Sequence, residues 1–407
     1  MPSSSSSSLA ALKRAIAVQK RIVDSLPLCS SRKEWDAKAK HIYNLSQKEE
    51  EYDLILESHR VAEVVKTQEE QHPPLTEECP ICLEMKPNNS LDSMRYFYCC
   101  GNGICKECSL EADSKAVCLR TCLICQSDRP FKDDVETKRQ MTIKHAERGK
   151  PWAQINVGVG YRDGSGGFPL NEMEALKWFE RAAEQNNPYA LRVLGVYYAR
   201  GDIVQQSFVK TRELVKEAAD LGYIEAQELV GAMYLTGQGG EADEEKAVHY
   251  YTLAYSHGNV AAAFQLGHWF RHGGCGLTTS LYRAKHYFEE AAQNGNVRSY
   301  VPLAATMLDL CNLQYQERST VPGYSVIPKV FFWARKAHES GDAEGTKWLK
   351  LLENEAQEYC ANCDRHHMSF GQKLKCCTRC KAVWYCGRKC QLDHWKAGHK
   401  VDCIKKE

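Results

Sequence analysis

The sequence predicts a mainly α protein, an α-solenoid of stacked helix pairs flanked by two small cysteine-rich modules. Two observations carry that prediction. The first is a dipeptide that returns as Val157-Gly158, Leu194-Gly195, Val230-Gly231 and Leu266-Gly267, then more loosely as Leu303-Ala304 and Leu349-Lys350. Its steps of 37, 36, 36, 37 and 46 residues lie in the range of stacked helix-pair repeats. The second is the placing of the 20 cysteines: nine fall between Cys79 and Cys125 and eight between Cys360 and Cys403, leaving Cys29, Cys275 and Cys311 apart. A chain of 407 residues with 43% hydrophobic content can build several cores, and two to four modules are expected.

Residues 1–72 read as a disordered or helical lead-in. Pro2 to Ser8 is a serine run too polar to fold alone. Leu9 to Leu26 reads as a basic amphipathic helix with Leu9, Leu12, Ile16 and Val23 near one face. No acid precedes Asp24, a composition shared with organelle transit peptides, although a floppy tail leading into a helix is the plainer reading. Glu34 to Gln71 is highly charged, with apolar residues at roughly helical spacing. It is suited either to dock on the array or to self-associate as a short coiled coil. His72-Pro73-Pro74 then marks a boundary.

Residues 75–131 hold the first cysteine block. It reads CPIC, sixteen residues, CCGNGICKEC, thirteen residues, CLIC. Such pairs in a large chain without a secretory signal point to zinc in a reducing compartment, cytosol or nucleus, rather than to disulfides. A segment this small lacks the core to fold unaided, and a metal supplies the missing stability. The layout resembles a RING finger, a cross-brace fold holding two zinc ions. That resemblance assigns Cys79, Cys82, Cys105 and Cys108 to one ion, and Cys99, Cys100, Cys122 and Cys125 to the other. Cys118 is an alternative to Cys99, because adjacent ligands are unusual. Asn102 stands where the common order has a histidine, so the all-cysteine variant fits better. A RING implies a ubiquitin ligase that binds a charged ubiquitin-conjugating enzyme and has no nucleophile of its own. Ile81, Leu123 and Gln126 match its contact positions. Leu123 and Gln126 depart from the usual proline and basic residue, and with Asn102 they motivate the alternative of a non-enzymatic scaffold.

The array is expected over 133–355. Around each dipeptide the same parts recur: a paired Ala (Ala182-Ala183, Ala218-Ala219, Ala291-Ala292), aromatics before it, and a turn opened by Asn186, Gly222, Gly258 or Gly295. Small residues allow close helix approach, and glycines cap helices in the left-handed region. One pair cannot bury its apolar face alone, so pairs stack. The pattern resembles the Sel-one-like repeat family, relatives of the tetratricopeptide repeat, which implies binding of unidentified proteins rather than chemistry. Isolated histidines such as His249, His268 and His286 read as surface or packing residues. An insertion near Asn312 to Pro328 reads as a surface loop.

Residues 360–403 hold the second block, C-x-x-C, thirteen residues, C-x-x-C, five, C-x-x-x-C, eight, H-x-x-x-C. It resembles a MYND zinc finger. That resemblance gives one zinc to Cys360, Cys363, Cys386 and Cys390, and a second to Cys377, Cys380, His399 and Cys403. Cys376 breaks the pair spacing and His394 falls too early, so neither joins a site. Four protein ligands per ion describe structural, not catalytic, metal. The family binds short proline-containing peptides, and Gln391 and Trp395 match its groove. The family's lysine methyltransferases carry a further domain of which this sequence shows no segment. Basic residues crowd this end, yet no base-reading motif accompanies them and the whole chain carries only about +1, so no nucleic-acid partner is expected. No apolar run approaches the length of a membrane span.

Overall fold

A computed structural model describes residues 3–26, 32–73, 76–87, 94–97, 103–114, 124, 134–314, 327–357, 360–361, 374–400 and 403–404. The chain divides into two compact units, Glu63–Asn259 and the combination of Met1–Ala62 with Val260–Glu407.

Helices α1 (Ser3–Ser25) and α2 (Arg32–Gln71) open the chain, so helix begins inside the serine run expected to be unfolded. Once the following amphipathic turns form, extending a helix costs little per residue, and serine is only a middling helix former.

In the unit Glu63–Asn259, strands β1 (Thr76–Glu78) and β2 (Met85–Pro87) form one antiparallel hairpin, and β3 (Met94–Tyr96) and β4 (Gly103–Cys105) another. Helix α3 (Lys106–Ser114) follows. The array begins with α4 (Val135–Glu147) and α5 (Pro151–Asp163). It continues with α6 (Glu172–Ala183), α7 (Pro188–Arg200), α8 (Phe208–Asp220), α9 (Ile224–Thr236) and α10 (Glu244–Ser256), each packed on the one before. Side chains set the helix starts: Asn171, Asn187, Ser207 and Asp243 each accept from the backbone N–H three residues on. Gly201 and Gly237 end α7 and α9 in the left-handed region, at φ 76° and 71°. The dipeptide glycines have a different task, inside helices. A Cβ on Gly158 would lie 2.9 Å from the Phe179 ring, and one on Gly195 would lie 2.7 Å from a Val215 methyl. The absent side chain is what brings each helix against the first helix of the next repeat.

The other unit contains α1, α2 as far as Ala62, α11 (Val260–His272), α12 (Leu281–Gln293), α13 (Tyr300–Gln314), α14 (Ile327–Glu339) and α15 (Ala343–Ala356). Here Gly267 receives the Phe288 ring, where a Cβ would stand 2.8 Å away. The expected loop at 312–328 is helical at both ends, and its central residues 315–326 lie outside the described residues. Between the two expected associations of α2, the structure shows docking: Lys285 Nζ on α12 lies 2.6 Å from Glu50 Oε1 on α2. The chain closes with a hairpin of β5 (Lys375–Cys376) and β6 (Trp384–Tyr385), helix α16 (Arg388–His394), and a wider π turn at Trp395–His399.

Candidate metal centres and recognition surfaces

The first centre is built on a tight knuckle. Cys79 N–H donates to the Glu84 carbonyl at 3.0 Å, and Leu83 N–H returns to the Cys79 carbonyl at 2.8 Å. Leu83 takes φ 60° to close that turn, which holds Cys79 and Cys82 on one side. The end of β4 and the start of α3 carry Cys105 and Cys108 to the same place, and the four sulfurs lie within 4.8 Å of one another. The pairing skips the Cys99-Cys100 pair in sequence, the order of a cross-brace. Met94, Phe97 and Ile104 bury this centre from below, with Ile124 packed at their side. Tyr96 stacks on Trp152 of α5, ring centroids 5.1 Å apart, and so seats the finger on the first repeat helices. Burial opposes charge on Cys79, but backbone N–H groups of Cys105, Cys82 and Ile81 outweigh it and bring the thiol down to about 6. Thiolate is the form a metal takes.

Ile81 stands at the tip of the knuckle with 47% of its surface exposed, flanked by Leu83 and Met85, which are more exposed still. Cys99, Cys100, Cys118, Cys122, Cys125, Asn102, Leu123 and Gln126 lie outside the described residues.

The second region repeats the device. Cys377 N–H donates to the Val383 carbonyl at 2.8 Å, Lys381 N–H to the Cys377 carbonyl at 3.0 Å, and Lys381 adopts φ 52°. That knuckle gathers Cys377 and Cys380 with His399 and Cys403, all four buried and within 4.8 Å. His399 Nε2 lies 3.6 Å from Cys380 Sγ. The Cys380 side chain and the His399 ring draw the Cys377 thiol down to about 3, although burial resists; the hydrogen bond with Cys377 and then burial push Cys380 up, and burial and the Cys377 charge push Cys403 up. Competition of that kind ends when a dication shares the site, since each thiol can then ionise. Three thiols and one imidazole, buried and converging, form a donor set that suits tetrahedral zinc and leaves no position for water. Cys360, Cys386 and Cys390 form a third cluster, with Cys386 N–H donating to Cys360 Sγ at 3.4 Å. Its expected fourth member, Cys363, lies outside the described residues.

Cys376 pairs with Trp384 across the hairpin and stays out of both clusters. His394 likewise joins neither cluster, yet it has contacts that spacing alone did not reveal. It shares a 2.8 Å hydrogen bond with the Tyr385 hydroxyl through Nδ1 and stacks on the His399 ring at 5.0 Å. Tyr385 thus fixes the ring on which the His399 imidazole stacks. The tyrosine just before Cys386 was the visible signal. Gln391 and Trp395 are one turn apart and both half-buried, and the Trp395 ring meets His399 edge-on at 5.9 Å.

The MYND finger family model matches residues 360–403, and the Sel1 repeat family model matches 153–187, 188–223, 224–259 and 260–296. The chain carries Sel1 repeats and a C-terminal MYND finger. Both are protein-interaction modules. An uncharacterized protein of Neisseria meningitidis is 30% identical over 206 residues, 44% of this chain and 42% of that protein. Ubiquitin carboxyl-terminal hydrolase 15 of Arabidopsis thaliana is 39% identical over 60 residues, 15% of this chain and 6% of the hydrolase. The ERAD-associated E3 ubiquitin-protein ligase component HRD3B of the same plant is 31% identical over 113 residues, 28% and 18% of the two chains. The chain spans less than half the length of these curated relatives. Among solved structures, the protective antigen c5321 of uropathogenic Escherichia coli gives a TM-score of 0.49 at 23% identity, over 65% of this chain and 49% of that one.

The MYND finger is seated on α14. Arg335 of α14 reaches its knuckle, and Phe331 meets Trp384 at 6.0 Å. No described helix is long and apolar enough to cross a membrane.

Proposed function

We propose that the chain is a ubiquitin ligase. In this reading the finger at 75–131 recruits a charged ubiquitin-conjugating enzyme, and the array at 133–355 and the MYND finger at 360–403 hold the protein to be modified. One observation carries it: Cys79 and Cys82 join Cys105 and Cys108 across an intervening pair, which leaves Ile81 exposed at the tip of the knuckle. An apolar side chain fixed by a metal knuckle is a rigid anchor for a partner's surface. Two relatives have ubiquitin chemistry in their names, over short stretches. Zinc in each cluster is structural: Cys79, Cys82, Cys105 and Cys108 hold one ion, and the two MYND clusters hold one each. A further ion belongs to Cys99, Cys100, Cys122 and Cys125 in the resemblance. The MYND finger takes a proline-containing peptide along Gln391 and Trp395, because an extended polyproline segment loses little entropy against a flat aromatic beside an amide.

The test is discharge of ubiquitin from a panel of charged conjugating enzymes by the zinc-loaded full chain. Acceleration is expected, and its loss in Ile81→Ala with zinc content retained. No acceleration from folded, zinc-loaded protein overturns the ligase reading. The second reading, an adaptor whose modules only gather partners, then stands; the departures at Leu123 and Gln126 favour it.

A further inference from the structure

Helix α2 buries an uncommon face. Among its described side chains the buried ones are Ser46, Glu57 and Gln68, all polar and 11 residues apart, which is about three turns. Its apolar residues Leu54, Ile55, Val61 and Val64 are only half-buried. What holds it to α12 is charge. Lys285 meets Glu50 at 2.6 Å, and the Arg283 guanidinium reaches Asp53 at 3.4 Å and Glu57 at 3.6 Å. The Tyr287 hydroxyl donates to Glu57, and the Ser280 hydroxyl donates to Asp53. Glu50, Asp53 and Glu57 stand at i, i+3 and i+7, one stripe of a helix.

Such a contact specifies register more than it adds stability. Buried ion pairs give back in Coulomb energy roughly what they cost in desolvation, and half-buried apolar side chains contribute modestly. The repeat helices underneath are different: Phe270, Tyr287 and Phe288 are among the largest fully buried side chains. Regions held by fewer buried apolar groups open at lower free energy than the core they rest on. A solenoid offers an extended binding surface, and a helix laid along a groove is one recurring way a protein takes a peptide partner.

We propose that the α11–α12 face is a receptor for an acidic helix of a partner protein, and that α2 occupies it in cis and must be displaced for the partner to bind. The acids of the partner helix are spaced i, i+3, i+7, matching Lys285, Arg283 and Tyr287. This holds whether or not the N-terminal finger is a ligase.

The probe is a fluorescein-labelled synthetic peptide with the sequence of residues 44–66, added to the full chain. In Glu50→Gln/Asp53→Asn/Glu57→Gln the cis helix keeps its shape and loses its charges. That variant is expected to bind the peptide at least about tenfold tighter than the unmodified chain, because the closed state no longer competes. Adding Arg283→Glu and Lys285→Glu is expected to abolish the gain. Equal affinity of both chains, or no effect of the reversals, overturns the proposal. Dimerisation of the unmodified chain through the same acids overturns it too, by giving the face to a second copy. Amide hydrogen exchange on the unmodified chain decides the matter even if the variant does not fold. Residues 44–60 are expected to exchange at least about tenfold faster than α11 and α12. Exchange at the same rate makes α2 a fixed layer of the fold, and the proposal fails.

Discussion

The Arg335 guanidinium donates to the backbone carbonyl of Cys380 at 2.6 Å, and its other terminal nitrogen donates to that of Lys381 at 2.7 Å. Helix α14 therefore holds the turn that presents Cys377 and Cys380, two candidate metal ligands. Both carbonyls belong to the knuckle in which Lys381 adopts its left-handed conformation. Burial weighs against the guanidinium charge and draws its pKa down, so the contact persists only because carbonyl oxygens and nearby acids compensate it. Folding of the MYND finger and of α14 is thereby linked.

Arg335→Ala leaves the two carbonyls without that donor. A hydrogen bond from a charged group contributes roughly 1.5–3 kcal/mol, so denaturant melts should show a loss of that order. Transfer of zinc to a chelator should speed up as the knuckle loosens. An unchanged melt would mean that the finger rests on α14 without stabilising it.

Gly195→Ala introduces a methyl that would stand 2.7 Å from Val215 Cγ2. Overpacking of this kind costs about 1–3 kcal/mol. Val215→Ala in the same chain should recover part of the loss. Strict additivity in a double-mutant cycle would show that the clash is not the cause.

Tyr385→Phe removes the hydroxyl that shares a hydrogen bond with His394, and so loosens the ring stacked on His399. Because the hydroxyl reaches the His399 ring only through His394, the expected loss of metal affinity falls below the roughly 10- to 100-fold of a partner bonded directly to a ligand. Competition with a chromophoric chelator should show one class of zinc released more easily while the others are unchanged.

Burial pushes the Cys311 thiol from its ordinary 9.0 up to about 12. The raised value belongs to the folded state, so the stabilising contribution is complete below about pH 9 and fades as pH rises toward 12. Urea midpoints taken at pH 8 and pH 11 should fall less in Cys311→Val than in the unmodified chain, compared as differences between the two pH values. Equal falls would place the alkaline loss elsewhere.

Several parts were legible because they depend on local chemistry. The 36–37 residue step announces the repeats, since each pair meets its neighbour with the same small residue. Asn186, Gly222, Gly258 and Gly295 were readable as turn openers, and all four have positive φ. Ligand pairs such as Cys377 and Cys380 were visible because one knuckle spans three residues. His394 was harder: as a non-ligand it has no spacing rule, and its stacking on His399 depends on the wider π turn that follows α16. The helical state of the serine run was missed because composition speaks for an isolated segment and not for one extending a formed helix.

By itself, the sequence determined the repeat architecture and the identity of the C-terminal MYND finger, because periodicity and ligand spacing are local and survive without long-range contacts. Only the tertiary structure decided what those modules rest on. Tyr96 on Trp152, Arg335 on the Cys380 carbonyl and Glu57 beneath Tyr287 join residues 56, 45 and 230 positions apart. No periodicity links such pairs. They are chosen by which surfaces remain to be covered once the helix pairs have stacked on one another.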